Sequence, residues 1–148
     1  LAILKAFKGE KIPLYGDGLN IRDWLFVEDH IDAILLVAKK GKPGKSYCIG
    51  GFGEKSNKEV LIEICNLMDK YEPKSFAHSN LIQHVTDRPG HDKRYAINSN
   101  MIQNELGWEP KTSFTDGLNE TIKWYIDNID WCKSVMKRSG YQGGRIGI

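Results

Sequence analysis

Val85 to Ile97 reads VTDRPGHDKRYAI, with Asp87, Arg88, His91, Asp92, Lys93 and Arg94 set around a Pro89-Gly90 turn. A cluster of this kind is compatible with a solvated loop, a metal site, a catalytic constellation or an anion clamp. The metal reading is weak. The histidines (His30, His78, His84, His91) show neither HxxxH nor HExxH spacing, so no ligand pair is pre-aligned on a helix. No Ser-His-Asp set is legible either, because those partners are not sequence neighbours. Arg88 remains, and NIRDWLFVEDH (Asn20 to His30) supplies a second arginine, Arg22, in a loop ahead of an apolar run. Guanidinium groups bind phosphate oxygens bidentately, so two from separate loops can converge on a diphosphate, with Asn57 at a helix start as a further donor. The competing reading pairs Arg22 with Asp23 or Asp29 and Arg88 with Asp87, as ordinary surface ion pairs that contribute little. Residue types alone leave both open.

Composition narrows the function classes. The 148 residues suffice for one domain with its own core. The content, 41% hydrophobic and 27% charged, is that of a globular protein. A net charge of +2, with Lys and Arg spread along the chain, lacks the clustered basic stripe of a nucleic-acid binder. No apolar run approaches a membrane span, and AILLVA (Ala33 to Ala38) reads as a core helix segment. Three scattered cysteines without a CxxC pair suit a reducing cytoplasm better than a disulfide framework. The chain opens abruptly inside an apolar-periodic helix, Leu1, Ile3, Leu4 and Phe7, which reads as part of a longer polypeptide.

Along the chain, that first helix ends near Gly9 and a short strand runs from Lys11 to Tyr15. GDGLN (Gly16 to Asn20) is a turn. Val27, Ile31, Ile34, Leu35 and Ala38 recur at helical spacing up to the stop at Gly41. SYCIG (Ser46 to Gly50) reads as a buried strand, and Ser56 with Glu59 forms a capping box for the next helix. A linker (Glu72 to Asn80) precedes the strand IQHVT. Helices are expected from Asn100 to Leu106 and from near Thr115, and the glycine-bearing tail reads as loop. The class is α/β with short strands, closer to an accessory lobe than to a complete doubly wound sheet.

Two glycine motifs fall short of cofactor loops. GKPGKS (Gly41 to Ser46) has Lys39 where a phosphate loop needs its first glycine, and the helix precedes it rather than follows. GGFGEKS (Gly50 to Ser56) places Ser56 where a dinucleotide fingerprint needs its third glycine. The helix start at Asn57 still offers backbone N–H donors to an anion. Cys65, on an apolar helix face, reads as core.

The ordered series PLYGDGLNIRDWLFVEDH, YCIGG, EKSNKEV, DRPGHDKRYAI, ELGWEP, GLNETIKWY and YQGGRIG resembles the C-terminal half of the dTDP-glucose 4,6-dehydratase family, within the extended short-chain dehydrogenases/reductases. DRPGHDKRYAI is its most specific part. Cys48 and Asn98 depart from the usual Asn and Asp. The resemblance implies a nucleotide-sugar-binding lobe spanning residues 1–148, packed against an NAD-binding Rossmann domain upstream of Leu1. It implies that Pro13, Leu14 and Tyr15 hold the thymine base and that Arg22, Arg88 and Asn57 hold the diphosphate. Asp87, Pro89, Gly90 and His91 would complete the closing loop, with Tyr141 as a further contact.

The family's reaction uses NAD to oxidise C4 of the sugar transiently while water is lost across C5 and C6, a lyase step in deoxysugar (typically rhamnose) biosynthesis. The Tyr-x-x-x-Lys pair that serves it is absent from these residues. No catalytic residue is therefore expected here, and the histidine spacing gives no metal. The resemblance further implies a homodimer when intact, a dTDP-sugar as ligand, and no role for nucleic acid or membrane. A UDP-sugar epimerase or decarboxylase, or a stand-alone binding fragment without activity, are the alternatives.

Overall fold

The computed structural model describes residues 1–87 and 89–140. Helix α1 (Ala2–Lys8) ends where Gly9 takes a left-handed φ of 74° and leads into β1 (Ile12–Tyr15). β2 (Ile21–Asp23) precedes α2 (Val27–Lys40), and β3 (Glu54–Ser56) runs directly into α3 (Asn57–Tyr71). A 3-10 turn (His78–Leu81) feeds β4 (Ile82–Val85), followed by α4 (Asn100–Leu106), α5 (Phe114–Asp127) and α6 (Ile129–Ser139). Among the described residues the strands form two small pairs. β1 lies parallel to β4, with Leu14 opposite His84 and Tyr15 opposite Val85. β2 lies antiparallel to β3, with Arg22 opposite Lys55.

One core gathers Ala6, Ile12, Val60, Ile64, Cys65, Met68, Leu81 and Ile122 between α1, α3, α5 and the first strand pair. Met68 and Ile122 are fully buried, worth about 1.5–3 kcal/mol each in transfer from water. Burial also pushes the Cys65 thiol up to about 11, so it is inert packing, as its place on the apolar face suggested. A second, smaller cluster joins Ala33, Ile102 and Trp108.

The capping box is present in full: Glu59 N–H donates to Ser56 Oγ, and Ser56 N–H to Glu59 Oε2 at 2.7 Å. Four local expectations need correction. SYCIG forms no strand, because no ladder partner meets it among the described residues; Tyr47 and Ile49 instead pack on the second cluster. Arg22 lies within β2 rather than in a loop. Helix α6 was unread, since Cys132 is its one buried residue and the apolar period is correspondingly thin. It ends at Gly140, φ 68°, where the glycine-bearing tail begins.

The fourth concerns α2. Val27, Ile31, Ile34 and Leu35 are 60%, 49%, 49% and 50% exposed, while Asp29 and Ala33 are the buried residues of that helix. Helical spacing located an apolar face correctly but not what covers it. Asp29 is accommodated by accepting from Thr112 N–H at 2.9 Å, which satisfies part of its hydrogen-bonding need. No helix among the described residues is long and apolar enough to cross a membrane.

Candidate functional site

The parallel pairing of β1 with β4 brings together two stretches that lie far apart in sequence. β1 alternates, with Ile12 and Leu14 inward and Pro13 and Tyr15 half-exposed. Its end turns at Gly16 (φ 58°), whose N–H donates to the Val85 carbonyl at 3.0 Å. The Asp87 carboxylate packs so closely on Gly16 that an added Cβ would lie 3.0 Å from Oδ2. His84 donates from Nδ1 to the Gly16 carbonyl at 2.8 Å. His91 in turn donates from Nδ1 to Asp87 Oδ1 at 2.7 Å, which ties the two sides of the Pro89-Gly90 turn together. Pro13 to Tyr15 thus form one rim with Asp87, Pro89, Gly90 and His91. Leu14 contributes only its backbone there, since its side chain is 2% exposed and fills the space beneath Gly18.

β2 supplies the second wall. Ile21 N–H donates to the Lys93 carbonyl and Tyr95 N–H to the Ile21 carbonyl, so residues 93–95 lie along β2 as an added edge. Arg22 donates to its own neighbour's carbonyl, Ile21, at 2.6 Å and to the Asp92 carbonyl at 3.0 Å. Its guanidinium carbon sits 4.7 Å from the centroid of the Tyr95 ring, a cation–π arrangement. The ion pairs anticipated for Arg22 are not made. Asp23 accepts from Gly51 N–H and Gly53 N–H, each at 3.0 Å, and Asp29 is engaged with Thr112. Among the described residues no carboxylate pairs with Arg22. Neutral carbonyls orient the charge without cancelling it.

Two anion-binding ideas from the sequence do not survive. The GGFG loop is closed on an anion of its own, the Asp23 carboxylate. A Cβ at Gly51 would stand 2.2 Å from the Trp24 carbonyl oxygen, so the glycine serves close packing there. The start of α3 is likewise occupied. Asn57 N–H donates to Asn20 O, Lys58 N–H to Gly18 O, and Glu59 N–H to Ser56 Oγ. Asn57 can act on a ligand only through its side chain. With these backbone donors engaged, neither the GGFG loop nor the start of α3 offers them to the pyrophosphate of a dinucleotide such as NAD.

Of the expected site residues, Pro13, Leu14, Tyr15, Asp87, Pro89, Gly90 and His91 are brought to one rim, and Arg22 to the adjoining wall. Asn57 joins through its bond to Asn20, whose side chain donates to the Asp92 carbonyl at 3.3 Å. Arg88 and Tyr141 lie outside the described residues. Sequence reasoning missed Tyr95 and the main chain of Asp92 as supports of Arg22. It also missed the Arg94–Glu54 ion pair, formed by two bonds of 2.8 and 2.6 Å. Nothing in residue type pairs positions forty apart, so only the placement of residues 93–95 beside β2 reveals them.

The comparisons with known proteins agree with this architecture. The family described as GDP-mannose 4,6 dehydratase matches residues 1–121. A dTDP-glucose 4,6-dehydratase of Shigella flexneri is 46% identical over 142 residues, 96% of this chain and 39% of the relative. One from Xanthomonas campestris pv. campestris (strain ATCC 33913) is 46% identical over 149 residues, 99% of this chain and 42% of the relative. Among solved structures, the Bacillus anthracis dTDP-glucose 4,6-dehydratase in complex with NAD is 48% identical with a TM-score of 0.77, covering 88% of this chain and 39% of that one. The Streptomyces venezuelae enzyme with NAD and TYD bound is 37% identical with a TM-score of 0.80, covering 88% and 38%. The chain thus spans about two fifths of the length of the relatives it matches. With most of its length matched by one family and its short-stranded α/β fold shared with solved members, the chain belongs to the GDP-mannose 4,6 dehydratase family.

Proposed function

We propose that this chain is the nucleotide-sugar-binding part of a dTDP-glucose 4,6-dehydratase, whose NAD-binding Rossmann domain precedes Leu1. The observation that carries it is Arg22. Its guanidinium is held by two carbonyls and an aromatic face, with no carboxylate partner among the described residues. A cation oriented but not neutralised is what a diphosphate requires, because charge-assisted bonds to phosphate oxygens are stronger than neutral ones. Arg88 adds the second guanidinium and Asn57 a side-chain amide. Pro13 and Tyr15 offer a ring and an apolar edge to the base, with the Leu14 backbone between them. Asp87, Pro89, Gly90 and His91 form the closing turn, and Tyr141 completes the contacts.

NAD supplies the transient oxidation in such an enzyme, and the residues of this chain serve by binding the remote nucleotide, which places the sugar ring. On its own the chain would then be inactive. The exposed stripe on α2 supports the missing partner: Val27, Ile31, Ile34 and Leu35 form the face of a buried helix without a cover. In the intact protein, calorimetry with dTDP and with UDP tests the assignment. Tighter binding of dTDP is expected. Equal affinities would defeat the base assignment at Pro13 to Tyr15, and binding of neither would defeat the site.

A further inference from the structure

We propose that Glu54 and Arg94 are a positioning pair for Arg22, setting the attitude of its guanidinium toward the diphosphate of a nucleotide ligand. The inference rests on the assignment of Arg22 to that diphosphate. Both partners of the pair are exposed, and an exposed ion pair adds little to stability. Its geometry is nevertheless bidentate: Arg94 Nε donates to Glu54 Oε2 at 2.8 Å and Nη2 to Oε1 at 2.6 Å. Such a fork fixes orientation as well as distance. Glu54 opens β3, opposite Asp23 of β2, and Arg94 lies beside Ile21 at the edge of β2. The pair therefore clamps residues 93–95 across the whole width of the small sheet.

Two of the three supports of Arg22 sit in or next to that clamped segment, while the third, the Ile21 carbonyl, belongs to β2 itself. The Asp92 carbonyl, its acceptor at 3.0 Å, is two residues before Arg94, and the Tyr95 ring beneath it is one residue after. The Tyr95 hydroxyl donates to the Asp92 carboxylate, so the two supports move together. Arg22 has no ion-pair partner of its own among the described residues to hold it. Releasing residues 93–95 from β3 loosens the carbonyl and the ring at once. The Arg94 guanidinium is thereby spent on geometry, whereas Arg22 faces the ligand.

The test uses the full-length enzyme and reads equilibrium affinity for dTDP and for thymidine, which lacks the phosphates. Glu54→Gln and Arg94→Lys should each weaken dTDP binding about three- to tenfold, the scale of coupling between contacting residues, and leave thymidine binding unchanged. The exchange Glu54→Arg with Arg94→Glu should restore most of the loss. In an Arg22→Ala background, Glu54→Gln should have no further effect, because the pair acts through that side chain. Wild-type dTDP affinity in Glu54→Gln and Arg94→Lys, with a clear loss in Arg22→Ala, would overturn the positioning role and leave the Arg22 assignment standing. Wild-type affinity in Arg22→Ala itself would overturn both. Equal losses for dTDP and thymidine would mark the pair as merely structural and also refute the proposal.

Discussion

Arg22 donates from its guanidinium to the main-chain carbonyl of Asp92, 3.0 Å away and seventy residues later in the sequence. An acceptor that carries no formal charge fixes the direction of the cation while leaving its charge available. The bond also joins the strand that bears Arg22 to the loop that bears His91 and Asp87, so one ligand can be gripped from both.

Arg22→Ala in the full-length protein should weaken dTDP binding by about 1.5–3 kcal/mol, the range for a hydrogen bond to a charged group. Arg22→Lys should recover only part of this, since an ammonium cannot reach the Asp92 carbonyl and a phosphate in the same fork geometry. Arg88→Ala should produce a loss of the same size. Titration calorimetry measures all three.

Ser56→Ala removes one half of the capping box at the start of α3. A cost of about 0.5–2 kcal/mol is expected in urea unfolding. The change should also reduce dTDP affinity slightly, because Asn57 and the Asn20 loop are seated on that helix start.

Acid should destabilise the fold through carboxylates held below their ordinary range. Hydrogen bonds from the His78 backbone N–H and ring hold Asp69 low. Ser56 does so for Glu59 and Arg94 for Glu54. A carboxylate whose folded value is depressed contributes fully above its unfolded value, and the contribution is lost as pH falls through the folded one. The urea midpoint should therefore begin to drop below about pH 5 and go on dropping as the pH falls through the depressed folded values. Asp69→Asn should flatten part of that slope, and a slope unchanged by it would contradict the assignment to Asp69.

Gly51→Ala should be strongly disruptive, because its Cβ would be forced to within 2.2 Å of the Trp24 carbonyl oxygen, which is backbone and cannot swing away. More than the usual overpacking cost of about 1–3 kcal/mol is expected. Gly44→Ala is the contrast. Nothing lies within 4 Å there and only the left-handed φ of 81° opposes it, at roughly 1–2 kcal/mol. Thermal melts of the two variants should differ clearly.

The 148-residue chain alone should self-associate through the exposed face of α2. Ile31→Lys combined with Ile34→Glu should shift it toward monomer in sedimentation velocity without lowering its melting temperature, since both side chains are about half exposed already. A clean monomer before substitution would count against the docking role of that face.

Local chemistry was legible in the sequence because it depends on neighbours a few residues away. The capping box at Ser56 and Glu59, the left-handed stops at Gly9 and Gly107, the core place of Cys65 and the extents of α1 and α4 all follow from short-range periodicity and capping. The resemblance of the quoted motifs also pointed to the family, which the comparisons show, and named candidate site residues. Long-range pairing decided the rest. SYCIG has strand composition, but a strand exists only where a ladder partner meets it. The GGFG loop and the start of α3 look like anion sites until Asp23, Asn20 and Gly18 are seen to occupy their donors. Periodicity marked the apolar face of α2 and could not say that it would stand open. Arg22 was a candidate by residue type. Only the tertiary structure, by laying residues 93–95 along β2, supplied neutral partners in place of the expected carboxylates and left its charge to act.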